Sequence, residues 1–210
     1  MAGVDTFDRA TGRYEAWFLK HRNAYQAELR AVRELMPVTR RAVEVGVGSG
    51  RFAAPLGVRL GLDPSLAMLS IARNRGIETS VGVGEDLPFA DGSLDSVLLV
   101  TTVCFLDDVD RAFREARRIL RMGGSIILGF VDRASPLGQT YFRLHHESLF
   151  YRAAQFYTVE EILGSLEQAG FKAPRFRQTL FAPLTEIRRH EPVRKGYGDG
   201  SFTVLSAARS

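Results

Sequence analysis

Arg41-Ala-Val-Glu-Val-Gly-Val-Gly-Ser-Gly50 is the stretch that decides how this chain is read. Residues 42–45 are a short, largely apolar run and read as a buried strand. Glu44 stands in that run, and glycines follow at alternate positions, Gly46, Gly48 and Gly50. Glycine has no Cβ, so it turns the chain at positive φ and lets a ligand lie directly on the backbone. An acid just before such a turn suits a cationic or hydroxyl-bearing ligand better than a pyrophosphate. Alone, the segment fits both an adenosine-type cofactor site and an ordinary strand-to-helix turn.

Outward from this turn, strand and helix signals alternate, the pattern of an α/β fold with a mostly parallel sheet. Strands are expected at 42–45, 58–62, 77–83, 94–100, 125–131, 171–180 and 202–207. Helices are expected at 52–56, 65–74, 109–120 and 158–169. Ser65 or Asp63 is available to cap the second of these, and Thr158 with Glu161 forms a capping box for the last. Upstream, Tyr14, Trp17, Phe18, His21, Tyr25, Leu29, Val32 and Leu35 recur at helical spacing. They predict an N-terminal helical arm over 8–35, broken near Gly12 and ended by Pro37. Residues 132–157 hold no clear strand and many aromatics, and read as a helical insertion or lid. Residues 183–200 read as a charged loop.

A length of 210 residues fits one domain, here divided into a cap (1–37), a core (41–131), a lid (132–157) and the last part of the sheet (158–210). Apolar residues make up 45% and charged residues 25%, as in ordinary globular chains. No apolar run approaches the roughly 20 residues that span a membrane. The N-terminus, with Asp5, Asp8 and Glu15, does not read as a signal peptide. One cysteine, Cys104, excludes an internal disulfide and fits a cytoplasmic setting. Net charge is +4; apart from Lys20, Lys172 and Lys195, the 28 basic residues are arginines. They are scattered among acids, which favours a solvated surface over a nucleic-acid footprint.

Further landmarks follow the glycine turn in order. Asp63 closes the second expected strand in Gly61-Leu-Asp-Pro-Ser65, where an acid can accept hydrogen bonds from ribose hydroxyls. Glu85-Asp-Leu-Pro-Phe-Ala-Asp-Gly-Ser-Leu-Asp95 leads into the fourth strand, and Arg118-Ile-Leu-Arg-Met-Gly-Gly124 ends the helix after it. Together these motifs resemble the class I S-adenosylmethionine-dependent methyltransferases, in particular the small-molecule subgroup with a type 11 methyltransferase domain. The resemblance is close over residues 41–131 and extends to Gln168-Ala-Gly-Phe171. It implies a Rossmann-like, doubly wound, seven-stranded sheet with the last strand antiparallel. It also implies S-adenosylmethionine as cofactor and S-adenosylhomocysteine as product. By the same resemblance, Gly46, Gly48 and Gly50 pass under the methionine part and Glu44 orients it. Asp63 binds the ribose, Pro64 packs on the adenine, and the backbone at Gly84-Glu85 meets the adenine edge. Carbonyls near Thr101 face the methionine ammonium. Many relatives carry an aspartate two residues before Glu85; here Val83 stands there, leaving that contact to Glu85, Asp86 or the backbone.

A dinucleotide fingerprint fits poorly, since Arg51 takes the place of the last glycine counted from Gly46. An oxidoreductase using an NAD-type cofactor is therefore the weaker alternative, beside a non-catalytic S-adenosylmethionine binder. The acceptor is expected to be a small molecule, with no nucleic-acid or membrane partner and with a monomer or homodimer as the working unit. Candidate acceptor-side or catalytic residues are Tyr14 and His21 on the arm and His145 and His146 in the lid. No metal site is expected, because no third ligand stands at usable spacing.

Overall fold

An alternation of buried strands with amphipathic helices leaves the sheet covered on both faces, and this computed structural model has that layering. It describes residues 4–39, 41–188 and 190–210. Positions 1–3 of the expected arm, Arg40 and Arg189 lie outside the described residues. In chain order the elements are α1 (Val4–Arg9), α2 (Thr11–Lys20), α3 (Arg22–Leu35), β1 (Ala42–Val45), α4 (Ala53–Leu56), β2 (Leu60–Asp63), α5 (Leu66–Asn74), β3 (Glu78–Val81), β4 (Leu94–Val100), α6 (Val109–Ile119), β5 (Leu120–Val131), α7 (Pro136–Leu144), α8 (Val159–Gln168), β6 (Phe171–Thr179), β7 (Arg194–Lys195) and β8 (Phe202–Arg209).

The sheet order is β3-β2-β1-β4-β5-β8-β6-β7. Pairings among β1 to β5 are parallel, and β8 runs antiparallel between β5 and β6. The seven expected strands are present, and an eighth, the two-residue β7, pairs with the edge of β6 inside the region read as a charged loop. Alternate residues feed two cores. Val97 and Leu99 of β4 join Phe113 of α6 and Ile162 of α8, while Leu98 and Val100 join Leu29 and Val32 of α3 and Leu69 of α5. At roughly 1.5–3 kcal/mol for each large apolar side chain buried, these two layers supply the main driving force for the fold.

Helix starts follow their caps. The Ser65 hydroxyl accepts from Met68 N at 3.1 Å, the Asp108 carboxylate accepts from Arg111 N at 2.8 Å, and the Thr158–Glu161 capping box is complete. Three boundaries depart from expectation. The arm breaks at Ala10 and His21 rather than at Gly12, which lies inside α2. β2 starts at Leu60 rather than at residue 58 and carries Asp63 as its last residue. Gly123 and Gly124 do not separate helix from strand; β5 begins at Leu120, directly after α6, and runs through them. Among the described residues, no helix is long and apolar enough to cross a membrane.

Candidate active site

In an open α/β sheet, ligands bind beyond the carboxyl ends of the strands where strand order reverses. Here that point lies between β1 and β4. A cavity of about 670 Å³ opens there, lined by Gly46 and Gly48 after β1, Asp63 and Pro64 at the end of β2, Thr101 and Thr102 after β4, and Val131 of β5. The floor is therefore made of strand ends.

The glycine turn is held by its own backbone. Gly46 N and Val47 N both donate to Leu62 O, at 2.7 and 3.0 Å. All three glycines have positive φ, 68°, 51° and 82° for Gly46, Gly48 and Gly50. Their surroundings differ. A Cβ on Gly46 would stand 2.6 Å from Thr102 Oγ1, and one on Gly50 would strike Ile77. A Cβ on Gly48 would stand 3.3 Å from the Tyr14 hydroxyl. Gly46 thus admits Thr102 and Gly50 admits α5 packing, and both Gly46 and Gly48 line the cavity whereas Gly50 does not. Thr101 also has positive φ, 55°, rare for a threonine, and its amide donates to Gly129 O at 2.7 Å. That twist sits at the cavity wall.

Two buried carboxylates stand at these strand ends, Asp63 on the cavity lining and Glu44 off it. Asp63 accepts from Gly48 N through Oδ2 and from Ser65 N through Oδ1, both at 2.9 Å. Each oxygen keeps a lone pair for a ligand hydroxyl. Glu44 is 1% exposed and takes a backbone hydrogen bond from Ala53, and its Oε2 has no partner among the described residues. Burial raises the pKa of both, and in each case accepted backbone bonds work against it. An orphaned buried carboxylate oxygen, a two-oxygen acceptor beside it and a bare backbone turn together fit a ligand with a cationic end and a ribose. S-adenosylmethionine is such a ligand.

The walls come from distant segments. The arm contributes Phe7, Tyr14, Trp17 and His21, and the region after β5 contributes Tyr141, Leu149, Phe150 and Tyr151. Phe7 and Tyr14 meet Phe150 with ring centroids 5.2 and 6.1 Å apart, closing arm against lid. The arm is latched to the core by ionic contacts. Glu15 takes Arg51 at 2.5 Å, Arg75 at 2.6 Å and the Ser49 hydroxyl at 2.5 Å. Burial alone would raise the Glu15 pKa, but these hydrogen bonds hold it at about 2. Asp8 accepts from Ser65 Oγ at 2.6 Å and Ala67 N at 3.2 Å, tying α1 to the start of α5.

Tyr14 and His21 of the expected set line the cavity; His145 and His146 do not. α7 ends at Leu144, and the following turn sets the two imidazoles against each other, centroids 3.7 Å apart, with His145 Nδ1 2.6 Å from Phe142 O. Gly84, Glu85 and Asp86 also lie off the cavity lining. Glu85 Oε1 accepts from Asp107 N at 2.8 Å and Asp108 N at 3.2 Å, so this acid pins the loop before α6. Glu115 and Arg118 act similarly: they bind the Leu87 amide and the Leu87 and Phe89 carbonyls, fastening the Glu85–Asp95 motif to α6. Cys104 donates weakly to Thr101 O across 3.8 Å, and burial pushes its thiol up to about 12, so it is no thiolate. Among the described residues, no group of three or more His, Cys, Asp or Glu side chains could hold a metal ion. Several cavity residues escaped the sequence reading, Phe7 and Glu147 among them, and one of them is a buried acid: Glu28, on the buried face of α3. Its signal was available, since it stands three residues after Tyr25 and four before Val32 in the apolar stripe.

Comparison with known proteins agrees with this geometry. Residues 43–128 match the methyltransferase domain family. A solved S-adenosylmethionine-dependent methyltransferase from Thermotoga maritima, described as a possible histamine N-methyltransferase, is 46% identical. The match covers 98% of this chain and 99% of that one, with a TM-score of 0.95. An uncharacterized protein of Methanocaldococcus jannaschii is 37% identical over 98% of this chain and 100% of its own length. A demethylmenaquinone methyltransferase of Tropheryma whipplei is 28% identical over 74% of this chain and 77% of its own. With the glycine turn, the paired carboxylates and the sheet order, these matches make the chain a member of the class I S-adenosylmethionine-dependent methyltransferases, an enzyme that uses S-adenosylmethionine and releases S-adenosylhomocysteine.

Proposed function

We propose that this enzyme methylates a small-molecule acceptor held in the cavity above the glycine turn. The observation that carries this reading is the closure of the cavity by Phe7 and Tyr14 of the arm against Phe150 of the lid. A nucleic acid or a folded protein needs an open, basic groove; this cavity is walled by aromatic rings. On the donor side, Glu44 and the backbone of Gly46 and Gly48 hold the methionine part, and Asp63 binds the ribose. Pro64 faces the adenine and the Thr101 carbonyl region faces the ammonium; Gly84, Glu85 and Asp86, off the cavity lining, would reach the adenine edge only beyond the cavity wall.

When bound, the cofactor supplies an electrophilic sulfonium methyl. The protein's part is to hold the acceptor in line and exclude water. Such positioning is worth up to roughly 7–11 kcal/mol for well-oriented reactants. Tyr14 lies over Gly48 and its hydroxyl has no partner among the described residues, so it is placed to meet the ligands at the boundary between donor and acceptor. Burial first, then the charges of Glu44 and Asp63, raise its pKa far above the ordinary range, so Tyr14 acts as a hydrogen-bond donor and not as a phenolate base.

The test is transfer of labelled methyl from S-adenosylmethionine to a panel of small amines, thiols and phenols, alongside transfer RNA and core histones. Turnover confined to the small molecules is expected. Turnover on the macromolecules, with none on the panel, would overturn the reading.

A further inference from the structure

Glu28 is 4% exposed and lines the cavity, yet no hydrogen bond or ion pair engages it among the described residues. A buried carboxylate without a partner costs stability. On α3 it occupies a position where Ala24, Tyr25, Leu29, Ala31 and Val32 are all buried, so an apolar side chain would serve packing better. Among the described residues no cation pairs with it: Arg13 and Lys20 line the same cavity, but both are exposed. Tyr141 and Tyr151 of the cavity wall stand within electrostatic reach of the carboxylate, and aromatic ring faces attract cations.

We infer that Glu28 is the anchor for a positively charged amine on the acceptor, which makes the acceptor a small ammonium-bearing molecule with an apolar or aromatic body. This rests on the reading of the cavity as the acceptor site. An ammonium beside Glu28 gains an ion pair in a site of low dielectric, and its body is stacked by the rings around it. An alcohol of the same shape would gain the stacking alone. In the empty site, burial pushes the Glu28 carboxyl up to about 8, so at pH 7 it is mostly protonated. An arriving cation lowers that value. The Glu28 O–H bond then breaks, its proton passes to the solvent, and the amine remains an ammonium. Other ionisable groups face the same space: Tyr141 and Tyr151 across the cavity, and Arg13, Tyr14, Lys20, His21, Asp63 and Glu147 along its lining, while Tyr25, beside Glu28 on α3, turns its hydroxyl to Arg51 O. Burial first, and the charge of Glu28 second, raise Tyr141, which places the two within electrostatic reach.

The experiment is titration calorimetry at pH 7 with S-adenosylhomocysteine, followed by benzylamine, 2-phenylethylamine and 3-phenylpropylamine, each against its matching alcohol. Repeats in buffers of different ionisation enthalpy count protons released. At least one amine should bind tenfold or more tighter than its alcohol, with release of close to one proton. Glu28→Gln should keep S-adenosylhomocysteine affinity within about twofold, lose the amine preference and release no proton from this position. Glu28→Asp, which keeps the charge, should retain part of the preference. Normal S-adenosylhomocysteine binding with equal affinity for amines and alcohols, or with neither bound, would overturn this inference alone. A preference that survives in Glu28→Gln would also overturn it. Wild-type protein that fails to bind S-adenosylhomocysteine would overturn both this inference and the donor-site reading beneath it.

Discussion

The floor and the roof of this cavity are built on opposite principles. The floor, from β1, β2 and β4, is backbone: a glycine turn locked to Leu62, a threonine at positive φ, and two buried carboxylates whose bonds go largely to main-chain amides. The roof is side chain: aromatic rings from residues more than a hundred positions apart, brought together by an ionic latch. A floor of backbone suits a constant ligand, because its geometry is indifferent to most substitutions. A roof of side chains suits a variable one, because each ring can be exchanged without disturbing the sheet.

The largest effect should follow from breaking the floor. Gly46→Val forces a β-branched residue to φ near +68° and drives it into Thr102. The backbone strain costs about 1–2 kcal/mol and the overpacking about 1–3 kcal/mol. The melting temperature should drop by roughly 4–20 °C, and S-adenosylhomocysteine binding should vanish. Gly48→Val is the less clean probe, because its Cβ meets Tyr14 of the arm and so disturbs both halves. A Gly46→Val protein that melts normally and binds S-adenosylhomocysteine normally would show that the floor is not the rigid half.

That division also explains what could be read from the sequence. Glu44, the glycines and Asp63 were legible because a turn at positive φ and a capping carboxylate are local events with local residue requirements. The Glu85–Asp95 and Arg118–Gly124 motifs were equally legible, but their acids do other work: Glu85 pins the 107–108 amides, and Glu115 with Arg118 clasps the loop before β4. Motif order carries the fold without saying which member touches the ligand. β7 was missed because two residues leave no periodicity to detect. Glu28 was missed because its meaning depends on what faces it, and Tyr141 and Tyr151 reach it only through the tertiary fold.

An intermediate effect should follow from loosening the roof. Glu15→Gln removes the charge that Arg51 and Arg75 share, at a cost of about 1–2 kcal/mol for a partly buried network. Acceptor affinity should fall several-fold while S-adenosylhomocysteine affinity changes less. Acid should do the same to the unmodified chain. Glu15 titrates at about 2 in the fold against about 4.5 ordinarily, so its contribution is complete above pH 4.5 and is lost as pH falls toward 2. Trp17 is the chain's one tryptophan and lies on the arm, so its fluorescence reports the release. A Glu15→Gln protein with an unchanged acid transition in that signal would disconnect the latch from the arm.

The smallest effect should come from the most conspicuous residues of the roof in the sequence, His145 and His146. An adjacent pair of imidazoles in an aromatic segment invites a catalytic role. Their position denies it: the turn after α7 faces them to each other and to Phe142 O, outside the cavity lining. Leu144 and Glu147 on either side do line it, so the segment is near enough for rearrangement to matter. His145→Ala combined with His146→Ala should leave acceptor affinity and turnover within about twofold, and the pH profile of turnover unshifted. A loss of tenfold or more would mean that the lid turns one imidazole inward when the acceptor binds. The contrast would then sharpen from rigid floor and exchangeable roof to rigid floor and moving roof, because only a change in the 145–147 turn could bring either ring to the ligand.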